Sequence, residues 1–231
     1  MRLDKYLSAS TGLTRSQATK VIRQKRVTVN GLLAKQSAMQ LPADAVVELD
    51  DQVVAPTGPR YIVLHKPAGY VCSSDDPEHP TVMQLLDEPL LEKLNPVGRL
   101  DLDTTGLLLI TDDGQWLHRI TSPKHHVAKT YRVWLADPIP ASAVQAFADG
   151  VLLRGEKDLT LPAELNIVAE QEALLTIHEG RYHQVKRMFA AIGNKVVRLH
   201  REKIGDFQLP DDLVEGEYRE LNLSEIELIE S

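Results

Sequence analysis

The chain has 231 residues, of which 43% are hydrophobic and 26% charged, with a formal net charge of −7 and one cysteine, Cys72. No apolar run reaches the roughly 18 residues of a membrane span, and the opening MRLDKYLSAS lacks the apolar core of a signal peptide. A single cysteine excludes an internal disulfide and a cysteine-rich zinc site, so a cytoplasmic chain with one large core, or one core plus a small satellite domain, is expected.

Leu3, Tyr6 and Leu7 begin a short amphipathic helix. A second follows in TRSQATKVIRQKR, where Thr14 and Gln17 have capping-box spacing and Ala18, Val21 and Ile22 share one face. In VTVNGLLA, Asn30-Gly31 between β-prone runs predicts a hairpin, because a type I′ turn needs positive φ at both central residues. This helix-helix-hairpin unit carries Arg2, Lys5, Arg15, Lys20, Arg23, Lys25, Arg26 and Lys35 against Asp4 alone up to Gln36. Prolines and a glycine in DDQVVAPTGPR predict a linker at about residues 50–59.

Beyond the linker, strands are predicted in YIVLHK, LLLIT, KTYRVWL, ALLTIH and KVVRLHREKIG. Helices are predicted in TVMQLLDE (opened by Thr81 with Gln84), GQWLHRIT, ASAVQAFADG and YHQVKRMFAAIG, the last with Val185, Met188, Phe189 and Ile192 on its apolar face. The expected fold class is α+β: a small N-terminal module over residues 1–58, and a larger domain over 59–231 with a mixed, mostly antiparallel sheet flanked by helices. A second basic strip, Lys186, Arg187, Lys195, Arg198, Arg201 and Lys203, is opposed only by Glu202, whereas the chain after residue 205 is acidic. Screening confines each field to about 10 Å, so either patch attracts phosphate despite the net charge.

One stretch departs from ordinary core patterning. VGRLDLDTTGLLLITDDG sets Arg99, Asp101 and Asp103 directly before a run that reads as a buried strand. If extended, it puts the three charged residues on one face and Leu100 and Leu102 on the other. An acid beside an arginine keeps its charge, as nucleophilic catalysis by a carboxylate requires. The plainer reading is a turn in which Asp103 and the threonines cap backbone amides. Elsewhere, Lys129 and Tyr131 share a strand face, and HEGRYHQVKRM follows a strand with Glu179-Gly180-Arg181 and then Lys186 and Arg187. A tyrosine to stack, a base to pair and an acid to react together suit a nucleobase. The histidines lack zinc-motif spacing, and no P-loop or nucleophile elbow is present.

Four segments, LHKPAGYVCSSDD, VGRLDLDTTGLLLITDDG, AKTYRVWL and LLTIHEGRYHQVKRMFAAIGNKVVRLHREKIG, resemble the RsuA-type pseudouridine synthases in order and spacing, and the first thirty residues look like the S4-type RNA-binding module those enzymes carry. The resemblance covers nearly the whole chain. DPEHPTVMQLLDEP and EKDLTLPAEL are similar to the branch acting on uridine 516 of 16S rRNA.

The resemblance implies isomerisation of one uridine to pseudouridine, with no metal and no cofactor. It implies Asp101 as the catalytic aspartate, Tyr131 packing on the target base and Lys186 paired with the acid. Lys186 departs from the arginine of many relatives, keeping the charge without the bidentate fork. On the substrate side it places Arg99 (opening the RNA stack), Leu199 (an apolar wall), Lys66 in a supporting motif with Pro67, and Arg181. The first-module bases Arg2, Lys5, Arg15, Lys20, Arg23, Lys25 and Arg26 would hold RNA, either 16S rRNA or a small-subunit assembly intermediate. A monomer is expected, since no long apolar stripe is left unclaimed. The rival readings are a non-catalytic RNA-binding assembly factor on the same scaffold and an acid/base enzyme pairing Asp101 with Asp103.

Overall fold

A computed structural model describes residues 2–42, 45–54, 58–88 and 91–231. By its contacts the chain divides into two compact units, Met1–Pro59 and Arg60–Ser231.

In the first unit, α1 (Leu3–Thr11) and α2 (Arg15–Arg23) precede β1 (Val27–Val29), β2 (Leu32–Leu33), β3 (Val47–Leu49) and β4 (Gln52–Val54). The strands form an antiparallel sheet in the order β2-β1-β3-β4. Leu3 and Leu7 of α1 and Ala18, Val21 and Ile22 of α2 pack on Val27, Val29 and Val47, so the apolar faces meet between helices and sheet. The capping box is formed in full: Gln17 N–H donates to Thr14 Oγ1, and Thr14 N–H donates to Gln17 Oε1. Asn30 and Gly31 adopt φ of 51° and 77°, the left-handed values of the expected turn. The linker expectation fails at its start. Asp50 and Asp51, at φ 51° and 62°, make a second tight turn into β4. Aspartate tolerates the left-handed region because its short side chain bonds locally. Residues 55–57 of the expected linker lie outside the described residues.

The second unit runs β5 (Tyr61–Lys66), β6 (Asn95–Val97), β7 (Thr105–Thr111), α3 (Gly114–Thr121), β8 (Lys129–Leu135), α4 (Ser142–Asp149), β9 (Glu164–Ala169), β10 (Glu172–Ile177), α5 (Gln184–Ala191), β11 (Val196–Ile204), β12 (Phe207–Gln208), β13 (Tyr218–Glu220) and α6 (Leu223–Glu230). One sheet runs β13-β5-β7-β11-β8-β10-β9, with β6 beside β7 and β12 beside β11. Among the pairings between these strands only β7–β11 is parallel.

Strand β7 explains the leucine run. Leu108 and Ile110 face a core with Phe147 of α4 and Val185, Met188 and Phe189 of α5. Leu107 and Leu109 face a second core with Trp116 and Ile120 of α3 and Ile229 of α6. Both faces are covered, so an unbroken apolar run replaces alternation. Each buried leucine contributes about 1.5–3 kcal/mol, which fixes the strand that follows Asp101.

Two further expectations are corrected. TVMQLLDE forms only a 3₁₀ turn at Val82–Leu85, and Thr81 makes no side-chain cap there; Thr81 is instead buried and bridged to Val71. The helix expected from Tyr182 starts at Gln184, because His183 is left-handed at φ 47°. The acidic end of the chain holds β13 and α6, whose Asn222–Glu225 capping box and buried Ile229 dock it on the second core.

Candidate active site

The charged loop before β7 is a turn. Thr104 N–H donates to the Asp101 carbonyl at 3.1 Å. The extended reading, with Arg99, Asp101 and Asp103 sharing one face, is therefore replaced by a bend. The Asp103 side chain is 72% exposed, that of Asp101 only 23%.

The bend is fastened from beneath. The Lys66 side chain, at the end of β5, is fully enclosed. Its Nζ donates to the carbonyls of Thr104 at 2.8 Å, Pro67 at 3.0 Å, Asp101 at 3.2 Å and Leu102 at 3.4 Å. Burial pulls the Lys66 ammonium below its usual pKa, while the nearby Cys72, Asp103 and Asp101 push the other way. Gly69 N–H donates to the Leu102 carbonyl, and Leu100 N–H donates to Cys72 Sγ. Burial raises that thiol above its ordinary value. At the start of β7, Gly106 sits at φ 109°, and an added Cβ would lie 2.3 Å from the Arg201 carbonyl oxygen. Only glycine allows β7 and β11 to pair this closely.

Asp101 is met by α5. Lys186 Nζ lies 2.9 Å from Asp101 Oδ2 and 2.6 Å from Asp103 Oδ1, and His183 Nε2 lies 3.3 Å from Asp101 Oδ1. Burial alone would lower the Lys186 pKa, but its hydrogen bonds to Asp103 and Asp101 outweigh that and raise it. Burial would raise Asp103, yet the Lys186 hydrogen bond holds it below the usual carboxylate range.

A cavity of about 710 Å³ opens over this group, and Arg99, Asp101, Tyr131, Arg181 and Leu199 all line it. Tyr131 on β8 and Leu199 on β11 are 7% and 6% exposed, so ring and leucine form an apolar wall. Lys129, two residues before Tyr131, also lines the cavity. Burial, aided by the charge of Arg201, lowers its pKa to about 8. Arg201 is itself buried beside the cavity, its Nε donating to the Leu107 carbonyl and its Cζ 6.0 Å from the centre of the Tyr131 ring.

Residues 60–191 match the family of RNA pseudouridylate synthases, and residues 1–47 match the S4 domain. A protein of Vibrio parahaemolyticus named ribosomal small subunit pseudouridine synthase A is 58% identical over 231 residues, covering 99% of each chain. The protein of that name from Haemophilus influenzae is 56% identical, covering 98% of each. The chain belongs to the RNA pseudouridylate synthase family. A crystal structure described as a pseudouridylate synthase superposes with a TM-score of 0.72 at 55% identity, covering 99% of both chains. The α+β organisation, with an S4 domain ahead of a synthase domain built on a mixed, mostly antiparallel sheet, is that of the family.

Several residues of this RNA pseudouridylate synthase sit differently from expectation. Arg99, set beside the acid by adjacency in the sequence, is exposed at the cavity and, among the described residues, makes no ion pair; the cation on Asp101 is Lys186, the residue that the resemblance pairs with it. Lys66, expected on the substrate side, is shut off from the cavity and grips the loop. Arg181 lines the cavity, but its guanidinium is spent on Glu179, Glu156 and the Asp158 and Leu159 carbonyls.

The basic strip also dissolves. Lys186 faces Asp101 and Asp103, Arg187 pairs with Glu156, Arg201 is buried and Lys203 pairs with Asp206, leaving Lys195 and Arg198 exposed. In the S4 domain, Arg2 pairs with Asp4 and Arg26 with Asp50. Lys5, Arg15, Lys20, Arg23 and Lys25 are exposed without an ion pair among the described residues. His183 was missed: no spacing rule marks it, and only its left-handed backbone turns it toward Asp101.

Proposed function

We propose that this chain isomerises one uridine of small-subunit ribosomal RNA to pseudouridine, at position 516 of 16S rRNA, with Asp101 as the nucleophile. The observation that carries the reading is the cavity in which the Asp101 carboxylate, fixed by the Lys66-clamped turn and paired with Lys186, shares the space with the buried Tyr131 ring. The name shared by relatives at 55–58% identity over essentially full length supports the small-subunit substrate.

The target base leaves its stack at a cost of a few kcal/mol, offset by contacts inside the pocket. Tyr131 and Leu199 supply the apolar faces that receive the ring. Asp101 donates an electron pair to the uridine, at C6 of the base or C1′ of the ribose, and the N1–C1′ bond breaks. The freed uracil turns, C5 bonds to C1′ as the bond to Asp101 breaks and the carboxylate is regenerated, the C5 proton departs and N1 takes up a proton. The reaction is redox-neutral and intramolecular, so its balance calls for no cofactor. Lys186 holds the attacking carboxylate in place, and the exposed bases of the S4 domain hold flanking phosphates, which position the RNA without reading its sequence. The protein works as a monomer in the cytoplasm, where its ribosomal substrate is made.

Carbodiimide-probed primer extension on small-subunit RNA from cells lacking the protein tests this reading. Wild-type protein is expected to create one new stop, and Asp101→Asn to bind the RNA without creating it. Wild-type turnover by Asp101→Asn would remove the nucleophile, and RNA binding by wild type with no stop would favour an assembly factor.

A further inference from the structure

Tyr182 has no part in the reaction as derived above, yet its surroundings are unusual. The residue is 74% exposed, a large aromatic ring left in water. That ring lies flat on the His183 imidazole, with centroids 3.8 Å apart and planes 19° from parallel. His183 holds a left-handed backbone conformation, φ 47°, that few non-glycine residues adopt. It is tied to the site through its Nε2, 3.3 Å from Asp101 Oδ1. Both residues line the same cavity as Asp101 and Tyr131.

We propose that the Tyr182–His183 pair is a stacking platform for the nucleobase adjacent to the target uridine. The proposal rests on the substrate reading above and extends it from the flipped base to its neighbour in the strand. His183 covers one face of the Tyr182 ring, and the exposure of Tyr182 leaves the other face open. When a uridine leaves its stack, each neighbour loses a stacking partner. An aromatic ring at the cavity opening restores one, and does so for any base because every base has a π-face. The platform therefore favours the opened RNA over the closed form without choosing the sequence. The left-handed turn at His183 lets one short segment reach Asp101 with one ring and the RNA with the next.

Single-turnover kinetics of the full chain on small-subunit RNA decide the matter. The proteins are wild type, Tyr182→Phe and Tyr182→Ala. The RNAs are unmodified or carry an abasic nucleotide immediately 5′ or 3′ of the target. Tyr182→Ala is expected to lower kcat/KM roughly 5- to 150-fold, the loss that corresponds to removing one base–aromatic stack, with an unchanged melting temperature. Tyr182→Phe keeps the wild-type value. One abasic position should cost wild type a similar factor, and combining it with Tyr182→Ala should add little.

Wild-type rates for Tyr182→Ala overturn the platform. So do fully multiplicative losses at both abasic positions, which would mean that Tyr182 acts only by propping His183 against Asp101. If wild type forms no pseudouridine in unmodified RNA, the substrate reading is overturned and the platform falls with it.

Discussion

Replacing Lys66 by methionine isolates what the buried ammonium contributes. Methionine fills the same space without a donor, so the carbonyls of Pro67 and Thr104 lose the lysine. Those of Asp101 and Leu102 keep a second donor, the N–H groups of Thr104 and Gly69 respectively. A hydrogen bond to a charged group contributes about 1.5–3 kcal/mol. Two such losses come to roughly 3–6 kcal/mol. Burying the ammonium has its own cost, visible in the lowered Lys66 pKa, and methionine recovers part of it. A net destabilisation of about 2–4 kcal/mol follows. For a domain of this size that is a fall of roughly 5–15 °C in melting temperature. Activity should fall further, because the turn that loses its clamp carries Asp101, and a misplacement of about 1 Å costs on the order of 100-fold in rate. Calorimetry with single-turnover assays well below the melting point separates the two effects. A Lys66→Met protein with wild-type melting and turnover would show that the ammonium does not hold the loop. Lowered melting with intact turnover would show that it stabilises the fold without aiming the carboxylate.

Gly106→Ala should be among the most damaging single-methyl changes in the chain, since its Cβ meets Arg201 backbone atoms at 2.3–2.9 Å and its φ is 109°. A loss above about 3 kcal/mol is expected as a lowered urea midpoint, and an unchanged midpoint would contradict the tight β7–β11 join. Burial first, and then the charge of His65, lower the pKa of His200. The unfolded chain therefore binds that proton more tightly, and the stability from neutral His200 is complete above the unfolded value near 6.5 and lost as pH falls through the depressed folded value. Urea midpoints between pH 8 and 5 should fall more steeply for wild type than for His200→Gln, and parallel profiles would remove His200 as the cause.

Local signals carried the S4 domain. Asn30-Gly31, the Thr14–Gln17 box and the Val21-Ile22 face each specify geometry within a few residues, and each is found in place. The buried strand at 105–111 was legible for the same reason, because covering both faces demands an uninterrupted apolar run. Strand β9 passed unread: ELNIVA alternates weakly and lies at the edge of the sheet. The acidic end hid α6, whose capping box in NLSE was readable, but whose burial depends on a core assembled from β5, β7 and α3.

The site divides along the same line. The charges of VGRLDLDTTG mark it as no ordinary core segment but do not mark the partner of its acid, which only the family resemblance put at Lys186. Sequence adjacency pointed to Arg99, and adjacency is informative only if the chain is extended. The backbone bends at Asp101–Thr104 because a buried lysine from another strand collects its carbonyls, a long-range contact with no local pattern. Once bent, the loop offers Asp101 to the first turn of α5, where Lys186 binds both carboxylates while Arg99 remains at the exposed rim. The same logic thins the basic strip: Lys186, Arg187 and Lys203 are paired with acids and Arg201 is buried, through contacts that only the folded chain makes. Charge runs in this protein report where cations are spent, and those left exposed without an acidic partner among the described residues lie chiefly in the S4 domain.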